Sequence, residues 1–265
     1  MTAIERPTPA QRTRRLAVLA AAVFAVAVPV IQGLTGFGLS QAEFAAAGDQ
    51  TLRVAGYAFS IWGLLYLGLL IYAGRQALPQ TGESVLINRM GWPSVVAFSG
   101  IGLWIVVAAL DLKAASVVVI FASLLALLVP LLALGKTIRT TGVMDRDRWF
   151  LIWPLSALAG WLTIAAPLNL ITTATAFDAL PAFVSPTGWA VIAIAVVFLI
   201  AIEVTLYLRT MTYSLPIAWG LVGAFVAEQE RNPLLGFTAL GAAFLLVVAA
   251  VILVFGLKRG IERPR

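Results

Sequence analysis

The chain contains no cysteine and no histidine. These absences remove disulfides, thiolate and imidazole metal ligation, His-ligated haem, and every nucleophilic triad built on His or Cys. A Cys-free chain says nothing about redox compartment. Charge is scarce as well: Asp, Glu, Lys and Arg make up 11% of the 265 residues, against roughly 25% in soluble domains. Apolar residues fill 61% of the chain, and its mean hydropathy is +0.98. A soluble core cannot absorb that much apolar surface, so the solvent of the fold is lipid. Apolar runs of about 20 residues are the spanning unit, and only a helix satisfies its own backbone in a bilayer without closing a barrel. Barrel strands alternate with period two, and a run such as 117–134 does not. The expected fold class is an all-α integral membrane protein.

Eight apolar segments can be drawn, at 16–37, 54–74, 90–110, 114–135, 149–173, 188–208, 211–227 and 233–257. The seventh is the shortest and carries Pro216. Assigning the flanks alternately to two faces puts fifteen of the eighteen Lys and Arg residues on one of them: the N-terminal arm, Arg75, Arg89, the 136–148 loop, Arg209 and the tail. The other face keeps Arg53, Lys113 and Arg231. This asymmetry predicts eight transmembrane helices with both termini in the cytoplasm, and a bacterial inner membrane as the location. It also makes the net charge of +6 a topology signal rather than a nucleic-acid footprint. The bilayer is the expected partner, and nucleic acid is not. Residues 1–15 form a basic arm and 258–265 a basic tail. Thr13-Arg14-Arg15 ahead of the first run, with Ala45-Ala46-Ala47 as a cleavage site, has the look of a signal peptide. The run of about 22 residues is long for a signal h-region and is taken as a retained span.

Trp62 and Tyr66 lie at i and i+4 on one helix face; Trp161, Ala165 and Asn169 lie at i, i+4 and i+8 on another. Large rings beside small residues make either tight packing or a flat slot suited to a planar or rigid apolar ligand. The Tyr66 hydroxyl, the indole N–H groups of Trp62 and Trp161 and the Asn169 amide are the polar anchors of such a slot. The competing account has these groups bonded only between helices, at about 0.6 kcal/mol each. Trp92, Trp149 and Trp189 open spans and fit the membrane interface, whereas Trp104, Trp153 and Trp219 lie deeper. Glu203, in the sixth span, is either a proton or substrate group or a side chain that snorkels beside Arg209. The turns with Asp111 and Lys113, with Glu228, Glu230 and Arg231, and the charged 136–148 loop are expected to be solvated. No second carboxylate is spaced beside Glu203, so neither an enzyme nor a metal site is expected.

Three stretches carry a family resemblance. They are Trp161-Leu-Thr-Ile-Ala165-Ala166-Pro-Leu168-Asn169, Phe59-Ser-Ile-Trp62-Gly-Leu-Leu-Tyr66, and Leu103-Trp104 with Lys113 nine residues after the Trp. In this order they resemble the fifth helix, the second helix and the third-to-fourth junction of the translocator protein family (TspO/MBR, or tryptophan-rich sensory proteins). Residues 16–175 match that family's five-helix unit in order and spacing, which leaves 176–257 as three additional helices. The pattern departs at 51–57, where the family's Pro-Pro and Trp element is missing, and at Ile101, where the family carries Asn. The resemblance implies a non-enzymatic sensory or binding protein. Its ligand would be of porphyrin, sterol or isoprenoid type, a bound tetrapyrrole or lipid, held between spans 1, 2 and 5. Phe59, Trp62, Tyr66, Trp104, Trp161, Ala165 and Asn169 would surround it. The sequence leaves a homodimer or a membrane-complex partner open. A small-solute transporter using Glu203, and a structural or assembly subunit, are the alternatives.

Overall fold

Helix starts follow local sequence chemistry. The Gln11 amide donates to the Thr8 hydroxyl (3.3 Å) while the Thr8 amide donates to the Gln11 side chain (2.9 Å). This capping box starts α1 (Pro9–Thr35) two turns ahead of the apolar run. Ser40 and Glu43 repeat the device at α2 (Gln41–Ala46). There follow a 3-10 turn (Gly56–Ser60) leading into α3 (Ile61–Ala77), then α4 (Val85–Ala109), α5 (Lys113–Ala133) and α6 (Gly135–Thr140). A π turn (Arg148–Ile152) opens α7 (Trp153–Ala176), followed by α8 (Pro186–Leu208), α9 (Met211–Glu228) and α10 (Pro233–Val251). Ser84, Ser185 and Asn232 cap α4, α8 and α10 through their side chains, as expected of N-cap residues. The computed structural model describes residues 8–78 and 84–256, and no strand occurs among them. The start of the basic arm, the loop with Pro79 and Gly82, and the basic tail lie outside the described residues.

Among the described residues, seven helices, counted with their flanking turns, are long and apolar enough to cross a membrane. They include every expected span except the seventh. That segment is α9, whose 18 residues are made more polar by Thr212, Tyr213, Ser214 and Glu228. It nevertheless runs from one end of the bundle to the other. Ser214, near its start, shares a hydroxyl hydrogen bond with Thr205 near the end of α8. At its far end the Arg53 amide donates to Glu228 (2.6 Å), and just beyond it Asn232 donates to Thr187 at the start of α8 (2.9 Å). Eighteen helical residues rise about 27 Å, close to the hydrocarbon thickness of ~30 Å.

Five helices close a ring: α1 packs on α3 and α4, α4 on α5, α5 on α7, and α7 on α3. The three other long helices pack outside it, α9 on α7 and α10, and α8 on α7, α9 and α10. Helix α7 therefore has protein on both sides, and small residues allow the close approach. At Gly160 of α7 a Cβ would lie 1.9 Å from the Tyr213 carbonyl oxygen of α9.

Alternate loops gather at opposite ends. At one end Arg14 donates to the Asn88 carbonyl (3.0 Å) and side chain (2.7 Å), Arg15 to the Leu78 carbonyl (3.1 Å), and Arg75 pairs with Asp147 (3.0 Å). Arg139 lies over the Tyr207 ring at the same end. At the other end the Leu39 amide donates to the Ala109 carbonyl (3.0 Å), Thr51 bonds Thr175 (2.8 Å), and Arg53 meets Glu228. Gly38 has φ +66°, and a Cβ there would lie 2.2 Å from the Ala109 oxygen.

Two turns are less solvated than their charge predicts. The 136–148 loop folds α6, buries Arg148 and directs its guanidinium to the carbonyls of Ile138 (2.9 Å), Thr141 (3.0 Å) and Gly142 (3.1 Å). Glu228 is fully buried and held by Arg231 (3.0 Å) and the Arg53 amide. In both cases backbone donors or acceptors of a neighbouring segment draw the charge inward, a partnership that sequence spacing does not show.

Candidate functional site

Inside the ring, toward the end that carries Arg53 and Lys113, lies a narrow cavity of about 40 Å3. Helix α7 supplies its longest wall, with Trp161, Ile164, Ala165, Leu168, Asn169 and Thr172. The turn and α3 add Phe59 and Trp62, α4 adds Trp104, and α5 adds Ile120. Phe44 and Ala45 of α2 with Val54 of the following loop cover it, and Gly220 of α9 completes it. Among the described residues, no Asp, Glu, Lys or Arg lines it.

The structure thus brings together six of the seven residues expected to surround a ligand: Phe59, Trp62, Trp104, Trp161, Ala165 and Asn169. Tyr66 stacks on Trp62 (centroids 5.3 Å apart, planes 21° apart) but does not line the void. Span 1 was expected to form a wall. No residue of α1 lines the cavity, because α2 and the loop after it lie over the space and α4 and α5 close the ring beside α7. Glu203 is not part of the site: it lies exposed on α8, whose Ala201, Val204 and Thr205 turn inward.

The aromatic walls meet edge to face. Trp62 and Trp161 are 6.1 Å apart with planes at 82°, and Phe44 and Trp104 are 5.9 Å apart at 80°. Edge-to-face pairs are the preferred aromatic geometry. The Lys113 ammonium lies over the Phe44 ring (5.8 Å) and pairs with Asp111.

The indole N–H groups of Trp62, Trp104 and Trp161 are buried and have no acceptor, and the Tyr66 hydroxyl is buried without a partner. Other indoles of the chain find carbonyls: Trp149 that of Val143 (2.8 Å), Trp189 that of Pro181 (3.1 Å) and Trp219 that of Ala58 (2.9 Å). A buried unpaired donor costs about 1–3 kcal/mol, and proteins leave few of them. The three indoles that line this void are thus left with unused donors. The Gln41 side-chain oxygen, on the same wall as Phe44, is a buried acceptor without a donor. The Asn169 amide behaves differently, donating to Ser116 of α5 (2.9 Å), whose hydroxyl donates to the Lys113 carbonyl (2.6 Å). Its hydrogen bonding ties helices together while its flank faces the void.

Sequence reasoning missed Ser116, Ile120 and Gly220. Gly220 and Gly223 are visible as a small-residue pair, but only the structure shows them facing Val54, Ala58 and Ile164. The cover is pinned from both sides. The Ala55 amide donates to the Gly223 carbonyl (3.0 Å), and Gly48 lies so close to α7 that a Cβ would meet the Thr172 hydroxyl at 2.7 Å. A family model described as TSPO-like protein matches residues 15–252, through α1 to the end of α10. No curated protein and no solved structure matches the chain.

Proposed function

The chain belongs to the TSPO-like protein family, and on that premise we propose that it is a membrane-embedded binding protein that holds a planar or rigid apolar ligand in the cavity between α3, α4 and α7. The observation that carries this reading is the set of three acceptor-less indole N–H groups around an otherwise apolar void. Its ligand presents flat apolar faces to Trp62 and Trp161 and one or more acceptor oxygens or nitrogens to the indoles. Porphyrin, sterol and isoprenoid compounds with oxygen substituents meet that description. The protein acts by capture and not by catalysis, a reading supported by the lack of ionisable groups in the walls. The arginine-rich end faces the cytoplasm, as the charge bias requires, and α9 crosses the bilayer with its neighbours. The cover formed by α2 and the loop to Val54 then faces the other side.

Tryptophan fluorescence tests the site. A porphyrin titrated into the detergent-solubilised protein is expected to quench it saturably. Trp161→Ala combined with Asn169→Ala should abolish the saturable phase. Quenching that stays unchanged in the double variant would remove the cavity from consideration.

A further inference from the structure

Glu203 has no partner within the chain. It lies on α8, five residues before Leu208 at the helix end, which is about 7.5 Å along the axis. Its side chain is exposed, and among the described residues it makes no ion pair and no hydrogen bond. Arg209, at the end of the same helix, does not reach it. Snorkelling is opposed by direction. Helical side chains lean toward the N-terminus of their helix, and the near end of α8 is its C-terminus. The carboxyl group therefore leans away from the nearer interface and toward mid-membrane. Its stem of two methylenes is also short beside those of Lys and Arg. Ionisable groups within spans almost always find a partner, so the partner of Glu203 lies outside this chain.

The residues around it form a seam. Helix α8 buries Ile194, Val197, Ala201, Val204 and Leu208 against the bundle. Its opposite face exposes Ile192, Val196, Leu199, Glu203 and Leu206, at alternating steps of four and three. That is the spacing of a left-handed helix pair, the common crossing in membranes. One polar residue at such a position sets register and partner number. We infer that this face of α8 is a self-association surface, on which two copies pack in parallel with their Glu203 carboxyl groups hydrogen-bonded across the seam. Copies inserted the same way are related by a two-fold axis along the membrane normal. An axis beside α8 then sets each seam residue against its own counterpart at the same depth. A carboxyl group is self-complementary there, because one that holds a proton donates to one that does not. Leu199 and Leu206 close the seam on either side of the pair. Glu203 is the one charged residue between 186 and 208, so no second charge on α8 opposes parallel packing. The surface belongs to a helix outside the ring of five and leaves the cavity walls untouched, since no residue of α8 lines the cavity.

Disulfide crosslinking of the full chain in liposomes tests this, because the chain has no cysteine of its own. Leu199→Cys lies on the seam, and Phe244→Cys on α10 is a control of matching exposure (62% and 66%). Under oxidation at low protein-to-lipid ratio, Leu199→Cys is expected to form covalent dimers about tenfold faster than Phe244→Cys, as thiols held together outpace thiols that collide. Leu206→Cys is the second seam reporter if the first disturbs the fold. Adding Glu203→Leu to Leu199→Cys should slow crosslinking about fivefold through loss of the interhelical hydrogen bond. Adding Glu203→Gln should leave it within about twofold of Leu199→Cys alone, since an amide also donates and accepts. Equal rates at the seam and at Phe244→Cys overturn the surface. An unchanged rate with Glu203→Leu overturns the carboxyl pair. Crosslinking of Leu199→Cys to a different protein in the native membrane, with no dimer in liposomes, assigns the face to another partner and overturns self-association.

Discussion

At the scale of single residues, the indoles of Trp62, Trp104 and Trp161 separate stability from binding. Removing a donor that has no acceptor breaks no hydrogen bond. Trp161→Phe should therefore cost only the packing lost with the smaller ring, about 1–2 kcal/mol, and lower the thermal midpoint of the ligand-free protein by a few degrees, where 1 kcal/mol corresponds to roughly 2–4 °C. The same variant should bind an acceptor-bearing ligand about fivefold to tenfold more weakly, the worth of one hydrogen bond of ~1 kcal/mol. Calorimetric titration beside a melting curve reads both. A large drop in midpoint with unaltered binding would make the N–H group structural. Much of this site was legible beforehand, because Trp62 with Tyr66 and Trp161 with Ala165 and Asn169 repeat at one helical period and fix a face of α3 and of α7. Ser116 and Ile120 were not, since nothing in the sequence of α5 says which of its faces meets α7.

At the scale of elements, α9 is the segment whose role the sequence hides. Its apolarity is marginal, yet it donates the Trp219 indole to the Ala58 carbonyl, places Gly223 against Ala58, and ends in the buried carboxylate of Glu228. Glu228 accepts the Arg53 amide and so holds the loop over the cavity. Glu228→Ala leaves that amide without its acceptor. Hydrogen exchange at the Arg53 amide should then accelerate at least tenfold, from the loss of a charged acceptor worth about 1.5–3 kcal/mol, while exchange in the middle of α7 stays as it was. Uniform acceleration across both would show general destabilisation and no latch. The short helices α2 and α6 span six residues each. Such a length barely registers as a helical period, although the Ser40–Glu43 capping box is visible in hindsight.

At the scale of the whole molecule, the partition of basic residues and the packing agree. Arg14, Arg15, Arg75 and Arg139 gather at one end, and Arg53 and Arg231 at the other. The cysteine-free chain is already the background needed for accessibility labelling. Single substitutions Met144→Cys, Phe183→Cys and Glu230→Cys fall at exposed positions. In oriented vesicles a membrane-impermeant maleimide should label Phe183→Cys and Glu230→Cys from one side and Met144→Cys from the other. Glu230→Cys labelled together with Met144→Cys would mean that α9 does not cross. The gathering of basic residues at one end was legible from the sequence because the positive-inside bias acts on loops one at a time, whereas the closure of the ring and the attachment of α8–α10 depend on which helix faces complement one another in three dimensions. That attachment has one more consequence. The helix that supplies Gly220 to the chamber wall is joined to the ring by peptide bonds. The wall therefore stays in place at any dilution and any level of expression, and its local concentration is set by chain length, not by encounters between molecules. If the cavity holds a ligand, control over its occupancy falls to the ligand supply and to the loop over the cavity, because the wall and the ring cannot be separated by mass action.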